Sequence, residues 1–272
     1  MNYKQTISFV GAGSMTEAII SGMLQKELFT PSQITVTNRS DQERLSYFEK
    51  KYKINVTYDT KPLIEEADII ILAMKPKDVA QGVMKIAPYV RENQLILSVL
   101  AGVSTNTITK LVGKDVAVIR AMPNTSATIG KSATALSLGE FANGKHLQIA
   151  KTLFETVGIV TTVEEHDLHA VTGLSGSGPA YVYYLVEAME KAASEVGLDQ
   201  DVAKELILQT IIGAAEMLKT SPKQPSLLRK EVTSPGGTTE AGIKVLEQYK
   251  YQDAMVSCIK RATERSSELG ST

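Results

Sequence analysis

Cysteine is almost absent from this sequence. Because Cys258 is alone, an intramolecular disulfide framework and a cysteine-based metal site are both excluded. It lies in an apolar helical stretch, where we expect a small core residue rather than a nucleophile. Histidine is also scarce: His166 and His169 have the spacing to share a helix face, but no cysteine accompanies them. This pattern is more typical of a solvated helix start than of a metal site, so we expect no metal and no Ser-His-Asp nucleophile set.

The sequence also lacks an excess of charge of either sign and any long hydrophobic run. Its 29 basic and 30 acidic residues leave a formal net charge of −1, which removes a general electrostatic attraction to nucleic acid or to an anionic membrane. The longest apolar runs are well short of a membrane span. The chain runs almost at once into a predicted strand, which leaves no room for a signal peptide. These features predict a cytoplasmic globular enzyme that acts on a small molecule.

The chain opens with a predicted strand, a glycine turn and a helix. The apolar run Ile7–Val10 leads into Gly11-Ala12-Gly13-Ser14-Met15, and a helical pattern follows. In a dinucleotide-binding unit the first glycine allows the tight turn, and the second lets the backbone approach a pyrophosphate at the helix N-terminus. Two glycines at a strand-helix turn also occur without a ligand, so this turn alone leaves a structural role open.

Predicted strands and helices alternate up to residue 163, which indicates an α/β domain with a doubly wound parallel sheet. The segment Ile69–Ala73 is apolar on both faces, as expected of a central strand covered by helices on either side. Helices are predicted between the strands, for example over Asp41–Lys51 and Ser104–Val112. The predicted strands are Ile7–Val10, Ile34–Asn38, Ile69–Ala73, Leu95–Leu100, Val116–Ala121, Ala133–Leu138 and Ile159–Val163.

After residue 163 the pattern changes to helices, so we place a domain boundary there, with residues 1–163 binding the nucleotide and residues 164–272 forming an all-α domain. Ala180–Ala193 and Leu206–Leu218 carry few charges, and a domain of about 110 residues cannot easily bury two such helices all round. We therefore expect a homodimer in which a second subunit covers them; a compact monomeric bundle is the alternative. The predicted helical stretches are Glu164–Gly173, Pro179–Val196, Asp201–Lys219, Ser226–Glu231, Thr239–Tyr249 and Gln252–Leu269.

The ends of the predicted strands carry the candidate cofactor residues. In Asn38-Arg39-Ser40 the arginine suits the 2′-phosphate of NADPH and the serine adds a hydroxyl, whereas enzymes that select NADH usually carry an acidic residue there. NADPH is therefore favoured over NADH, although these residues are also ordinary in a solvated turn. Ala73-Met74-Lys75-Pro76 follows a central strand and is expected to line the nicotinamide ribose. Lys75 by itself is equally well explained as an exposed side chain at a capped strand end.

Two more strand ends and one loop complete the candidate site. Ser98–Gly102 and Arg120–Thr125 place small or polar residues where apolar strands open, so we expect backbone there to line the site and Arg120 to tie loops together. In the helical half, Ser234-Pro235-Gly236-Gly237-Thr238-Thr239 precedes a helix. Consecutive N–H groups at a Gly-Gly turn and a helix N-terminus make an anion site that suits a substrate carboxylate. The same residues also make a good turn without a ligand.

Together these stretches resemble the pyrroline-5-carboxylate reductases, which catalyse the last step of proline biosynthesis, over nearly the whole chain. The resemblance implies an N-terminal Rossmann domain and a C-terminal helical dimerisation domain that interleaves with a partner's. It places the active site at the subunit interface. The motifs that carry it are Gly11–Met15, Ala73–Pro76, Arg120–Thr125, Thr172–Tyr181 and Thr233–Thr239, of which the last two are specific to the family.

By the same resemblance, Ser234, Gly237, Thr238 and Thr239 hold the substrate, largely through backbone N–H groups on its carboxylate, and Glu165 is a substrate-proximal acid. NADPH delivers hydride to the ring C=N of 1-pyrroline-5-carboxylate, and Thr239 is expected to hydrogen-bond the ring nitrogen. The cofactor-binding residues predicted from all these stretches are Gly11, Ala12, Gly13, Ser14, Met15, Asn38, Arg39, Ser40, Ala73, Met74, Lys75, Pro76, Ala101 and Asn124.

The chain departs from the family pattern at two positions. Thr16 replaces the more usual alanine and is expected to widen the packing under the pyrophosphate slightly. Thr60 takes a position where relatives often have an asparagine near the adenosine ribose.

Two other interpretations stay open. A β-hydroxyacid dehydrogenase-like enzyme or another imine reductase shares the two-domain plan, but the hydroxyacid enzymes need a lysine that the stretch Gly173–Pro179 lacks. A non-catalytic NADP-binding protein would keep the first glycine turn and Arg39 without needing the Ser-Pro-Gly-Gly loop. The predicted function is NADPH-dependent reduction of the imine to L-proline by a homodimer, or by a higher oligomer built from it.

Overall fold

A computed structural model describes residues 4–75 and 78–270 of the chain. Its centre is an eight-stranded sheet of order β3-β2-β1-β4-β5-β6-β7-β8. The strands are β1 (Ile7–Val10), β2 (Ile34–Thr37), β3 (Asn55–Val56), β4 (Ile69–Leu72), β5 (Leu95–Ser98), β6 (Ala117–Met122), β7 (Ser132–Leu138) and β8 (Gly158–Thr162). All seven predicted strands are present, each with ends within two residues of the prediction.

The sheet differs from the prediction in two ways. It is not parallel throughout, because β7 runs antiparallel to β6, with Ile119 opposite Leu138, and β8 then pairs parallel to β7. An alternation of apolar and polar residues does not encode strand direction, so the sequence pattern could not reveal this reversal. The edge strand β3 was also not predicted, because two residues are too few to show a periodicity.

The core lies in two apolar layers, one on each face of the sheet. Ile69 and Ile71 belong to one buried cluster and Ile70 and Leu72 to the other, because successive side chains of a strand point to opposite faces. All of β4 is buried, as predicted for a central strand. Backbone bonds hold the carboxyl ends of three strands together: Gly11 N–H donates to the Thr37 carbonyl at 2.9 Å, and Ala73 N–H to the Val10 carbonyl at 3.0 Å.

Several of the helices begin and end at residues with ordinary capping chemistry. Asp41 accepts a hydrogen bond from the Arg44 N–H at 2.9 Å, and Ser104 accepts one from the Thr107 N–H at 3.0 Å. Gly113 ends a helix in the left-handed conformation. The helices are α1 (Ser14–Gln25), α2 (Gln42–Tyr52), α3 (Thr60–Glu65), α4 (Val79–Ile86), α5 (Thr105–Val112), α6 (Gly144–Phe154), α7 (Leu168–Val171), α8 (Gly178–Glu195), α9 (Gln200–Thr220), α10 (Pro225–Glu231), α11 (Thr238–Gln248) and α12 (Tyr251–Gly270), with a π-helical turn over Thr172–Gly176.

The chain divides into two compact units, Met1–Pro179 together with Lys260–Thr272, and Ala180–Ile259. The sheet ends at Thr162, next to the predicted boundary, but the first unit continues through α7 and the π-helical turn. The division at residue 163 therefore stays a prediction. Within the described residues of the second unit, only Ala203 and Ile207 are buried.

Apolar side chains of α8 and α9 are accordingly left exposed, among them Tyr184 at 76% and Leu206 at 56%. A stable helical unit normally buries such residues in a core of its own or against another chain. This is the arrangement expected if a second subunit covers these helices.

Candidate active site

The glycine turn after β1 is dictated by the close approach of β4. Gly11 has a φ of +126°, which side chains rarely tolerate, and an added Cβ would lie 2.6 Å from the Ala73 carbonyl carbon and 2.9 Å from the Met74 nitrogen. Alanine would be both strained and in contact with backbone at this position. The first glycine of the motif is therefore required by the fold itself.

Gly13 is in a different situation, because an added Cβ would meet no atom within 4 Å. It is the N-cap of α1, and no side chain caps this helix, so the first amides of α1 are left to other acceptors. An open space in front of uncapped amides fits the pyrophosphate of a dinucleotide. The hydroxyl of the buried Thr16 donates to the Gly11 carbonyl at 2.8 Å and so closes the turn. The wider packing expected under the pyrophosphate stays a prediction.

Of the three residues after β2, one shapes the turn and two face solvent. Asn38 accepts a bond from the Asp41 N–H at 2.8 Å and donates to the Asp41 carbonyl at 2.6 Å, so its side chain holds the start of α2. The side chain of Arg39 is 80% exposed and its Nη1 lies 3.8 Å from Asp78 Oδ1. Ser40 is exposed beside it. A weak surface ion pair of this kind leaves Arg39 able to meet a phosphate.

The predicted segment after β4 lies only partly in the described structure. Ala73 continues the backbone ladder, and Met74 packs so closely on Gly82 that a Cβ there would lie 3.2 Å from its Cε. The Lys75 side chain is exposed, and a contact between Lys75 and the cofactor stays a prediction. Pro76 lies outside the described residues. Ala101 is half-buried in the turn after β5.

A charged cluster beside the glycine turn was not predicted from the sequence. Glu17, in the first turn of α1, accepts from Arg44 Nη2 at 2.6 Å, from Lys51 Nζ at 2.9 Å, and from the hydroxyls of Tyr47 at 2.6 Å and Tyr52 at 3.0 Å. Arg44 also donates from Nε to the Ala12 carbonyl at 2.8 Å. Burial opposes the ionisation of Glu17, but the bonds from Tyr47, Lys51, Arg44 and Tyr52 outweigh it and lower its pKa to about 2. In sequence Glu17 is an ordinary acidic residue at a helix start, so no local signal marks this cluster.

Glu165 is tied to α5 and to β6. Its Oε1 accepts from the Thr105 N–H and its Oε2 from the Thr105 hydroxyl, both at 2.7 Å, and Arg120 Nη1 lies 3.7 Å from Oε1. The side chain of Arg120 is 1% exposed, and its Nε and Nη2 have no hydrogen-bond partner among the described residues. Burial lowers the pKa of this guanidinium, and Glu165 opposes the shift. The structural role predicted for Arg120 agrees with this burial, while a substrate contact of Glu165 stays a prediction.

Two further side chains, those of His169 and Asn124, hold separate elements together. His169 Nδ1 lies 3.0 Å from the Ser266 hydroxyl, which joins α7 to the end of α12, and His166 is exposed. Asn124 donates from Nδ2 to the Ser175 carbonyl at 3.0 Å and accepts from the Ser126 N–H at 3.1 Å. The Asn124 side chain thus anchors the π-helical turn, and a contact between Asn124 and the cofactor stays a prediction.

The Ser-Pro-Gly-Gly loop of the second unit is a tight turn that leads directly into α11. Pro235 and Gly236 are its central residues, Gly236 has a φ of +72°, and Gly237 N–H donates to the Ser234 carbonyl at 3.0 Å. The Gly236 N–H donates to Oε2 of Glu240 at 2.9 Å. Both glycine amides therefore already have acceptors within the loop. Fewer N–H groups are left for the anion site expected from the sequence.

The start of α11 keeps its own amides available. Gly237 is the N-cap, and no side chain caps the helix. Thr238 and Thr239, the first two residues of the helix, are both exposed. An anion at this helix start would meet backbone N–H groups, and its contact with the Thr239 hydroxyl stays a prediction.

Three other expectations concern chemistry outside these sites. The described residues contain no group of three His, Cys, Asp or Glu side chains placed to hold a metal ion. No described helix is long and apolar enough to cross a membrane. Cys258 is exposed in α12, so the expectation that it is a core residue is wrong for the single chain: it faces outward on a helix that this chain covers only in part.

Known proteins match the chain along nearly its full length. The family model described as pyrroline-5-carboxylate reductase dimerisation matches residues 165–269, and that described as NADP oxidoreductase, coenzyme F420-dependent, matches residues 6–102. Pyrroline-5-carboxylate reductase 2 of Bacillus subtilis is 51% identical over 97% of this chain and 94% of its own length. These matches confirm the predicted fold class, an N-terminal Rossmann-type domain followed by a helical dimerisation domain.

Solved structures of pyrroline-5-carboxylate reductases are similar to this chain over nearly its full length. A pyrroline-5-carboxylate reductase from Coxiella burnetii is 34% identical, with a TM-score of 0.90 over 99% of this chain and 100% of that chain. The Plasmodium falciparum pyrroline carboxylate reductase, solved with NADP bound, is 26% identical, with a TM-score of 0.91 and the same coverage of both chains.

Proposed function

The chain belongs to the pyrroline-5-carboxylate reductase family, and we propose on that basis that it reduces 1-pyrroline-5-carboxylate to L-proline with NADPH. The observation that carries this proposal is a pair of matching helix starts. Both α1 and α11 begin after a glycine N-cap, Gly13 and Gly237, and neither has a side-chain cap. The reaction needs two anion sites, one for the cofactor pyrophosphate and one for the substrate carboxylate.

The cofactor belongs at the first of these starts. Gly13 leaves room for the backbone to approach a pyrophosphate, and the exposed Arg39 suits the 2′-phosphate that distinguishes NADPH from NADH. When bound, the cofactor supplies hydride to the imine carbon. The chain's own residues then have to hold the nicotinamide and the imine in register.

The substrate carboxylate belongs at the start of α11. Because the amides of Gly236 and Gly237 are bonded within the turn, the amides of Thr238 and Thr239 are those left for it. With the carboxylate placed there, the Thr239 hydroxyl meets the ring nitrogen and positions the proton that this nitrogen carries in the product. An imine that enters protonated needs no strong acid, which agrees with a site built on threonines.

We test this assignment by following NADPH absorbance after addition of the imine, beside a parallel assay of a 3-hydroxy acid with NADP. We expect the imine to oxidise NADPH and the 3-hydroxy acid to leave NADP unreduced. If the imine does not oxidise NADPH, the proposal is overturned. Thr239→Ala should lower turnover about 100-fold with NADPH affinity unchanged, since only the hydroxyl is lost. Thr239→Ser, which keeps the hydroxyl, is the matched control. Equal turnover in all three proteins would remove Thr239 from the mechanism.

The family model for dimerisation supports self-association of the helical region, and the exposed apolar faces of α8 and α9 are the surfaces that it would bury. We propose a homodimer in which each Ser-Pro-Gly-Gly loop completes the partner's site, with higher oligomers built from that dimer. We also propose that the enzyme acts in the cytoplasm. Sedimentation at several protein concentrations tests the assembly: a fully active monomer would contradict the shared site.

A further inference from the structure

The cluster around Glu17 lies directly beside the proposed pyrophosphate site, although none of its residues belongs to the glycine motif. Arg44 reaches the motif from α2 by two bonds in different directions. Its Nε donates to the Ala12 carbonyl at 2.8 Å and its Nη2 to Glu17 at 2.6 Å. Ala12 is the residue between the two glycines. Arg44 is therefore bonded both to the turn and to the first turn of α1.

The side chain of Arg44 is held in place by two aromatic rings. Its guanidinium carbon lies 4.7 Å from the ring centre of Phe48, which is fully buried, and 4.9 Å from that of Tyr47. A planar guanidinium can stack on these rings and still donate two bonds at a fixed angle. Lysine, with a single head group, cannot reproduce this geometry.

The Ala12 bond matters because of the direction of a carbonyl dipole. The amides at the start of α1 attract a pyrophosphate, whereas a carbonyl oxygen turned toward the same space would repel it. A bond from Arg44 fixes the Ala12 oxygen on the α2 side of the turn. The turn is thereby arranged for an anion before the anion arrives.

The Glu17 bond matters because of charge. A carboxylate in the first turn stabilises the helix, but it also repels an anion that binds at the same helix start. Arg44 and Lys51 both lie within 3 Å of the Glu17 carboxylate. One anion beside two cations leaves the cluster with a net positive charge, so Glu17 can stay at this position without opposing the cofactor.

We propose that Arg44 is a positioning residue for the cofactor, which holds the Ala12 carbonyl away from the pyrophosphate and neutralises Glu17 beside it. This inference rests on the proposed NADPH-dependent function. Arg44 acts through the turn and through Glu17, so it sets the affinity for the dinucleotide and leaves the hydride-transfer step unchanged.

The test measures NADPH binding to the full-length protein by fluorescence titration, and kcat with saturating NADPH and imine. Arg44→Gln should raise the Kd for NADPH about tenfold or more, because the Ala12 carbonyl is then no longer held by Arg44 and Glu17 loses one of its two cations. Arg44→Lys keeps the charge but not the paired bonds, and should fall between wild type and Arg44→Gln. The kcat of both variants should stay within about twofold of wild type, as expected when only binding is lost.

Two controls separate this role from a structural one. Lys50→Gln removes a positive charge from an exposed position of the same helix and should leave the Kd unchanged. Glu17→Gln combined with Arg44→Gln should recover part of the lost affinity, because it removes a carboxylate that then has Lys51 as its one remaining cation of the two. Thermal unfolding of each variant checks that the fold is retained, and Arg44→Lys carries the test if Arg44→Gln does not fold.

A Kd for Arg44→Gln within about twofold of wild type, in a folded protein, would overturn the inference, since the bonds of Arg44 to Ala12 and Glu17 would then have no effect on cofactor binding. So would an Arg44→Lys variant that binds as wild type does. If wild type binds NADPH but does not reduce the imine, the proposed function fails while the binding comparison still decides the role of Arg44.

Discussion

Both carboxylate oxygens of Glu165 bond to the single residue Thr105, one to its N–H and the other to its hydroxyl, at 2.7 Å each. The two residues are sixty positions apart in the chain. Through this pair the segment after the sheet is attached to the start of α5, next to the buried Arg120. The resemblance assigns Glu165 to the substrate, but both oxygens of its carboxylate already accept bonds from Thr105. We therefore expect replacement of Glu165 to lower the stability of the fold.

Glu165→Ala should therefore destabilise the protein more than Arg120→Met does. Removing the acid leaves a buried guanidinium without its ion-pair partner, a change that costs about 3 kcal/mol. Removing the arginine leaves a half-buried carboxylate with both Thr105 bonds, and also removes two buried nitrogens that lack partners among the described residues. Urea unfolding at one fixed protein concentration measures both free energies, and equal losses would contradict this asymmetry.

Changing each glycine of the first motif to alanine should affect a different property: fold stability at Gly11 and NADPH affinity at Gly13. Gly11→Ala should destabilise the fold by more than about 2 kcal/mol, because the backbone is left-handed there and β4 lies against it. Gly13→Ala should leave stability within about 0.5 kcal/mol, since nothing in the described structure lies near the new methyl group. It should instead raise the Kd for NADPH about tenfold, because the methyl group occupies the pyrophosphate space. Thermal unfolding and NADPH titration of both variants distinguish the two effects.

His169 should make stability depend on pH in the weakly acidic range. Burial lowers its pKa below the usual 6.5, and nearby Arg120 adds to the shift while Glu165 opposes it. The unfolded chain then takes up this proton at a higher pH than the folded chain does. The stabilisation is present above pH 6.5 and is lost as the pH falls below it.

His169→Asn, which can still bond Ser266 but does not titrate, is the matched variant for this effect. Its free energy of unfolding should change less than that of wild type as the pH falls from about 7.5 to 5. The other histidines are present in both proteins, so their contributions cancel in the difference. Parallel pH profiles would show that His169 does not contribute.

Glu240 should weaken the binding of the substrate carboxylate. It bonds the Gly236 amide at 2.9 Å and lies in the first turn of α11, where we place the anion. Glu240→Gln keeps an oxygen for that amide and removes the charge, so the KM for the imine should fall about threefold with kcat unchanged. The difference should shrink at high salt, because exposed charges are screened. A KM that rises in Glu240→Gln would show that the carboxylate itself supports the loop.

The sequence by itself determined the order of the seven longer strands, the change to helices after residue 163, the glycine turn after β1, the tight turn before α11 and the family. Each depends on residues that are adjacent in the chain. The unbroken apolar run of β4 predicts burial on both faces, and Pro235-Gly236 predicts a turn, because each residue restricts its own backbone. Arg39 was identified as a candidate for the cofactor phosphate in the same way, because it closely follows β2 in the chain.

Only the tertiary structure decided the reversal of β7, the closing bond of Thr16 and the pairings of Glu165 with Thr105 and of Arg44 with Ala12. These pairings join residues that are 60 and 32 positions apart, so they depend on how layers pack and not on any local pattern. The same holds for the amide of Gly236, which the sequence assigns to a ligand and the fold gives to Glu240. A polar group bonds the partner that packing brings within 3 Å of it, and that distance is a property of the folded chain.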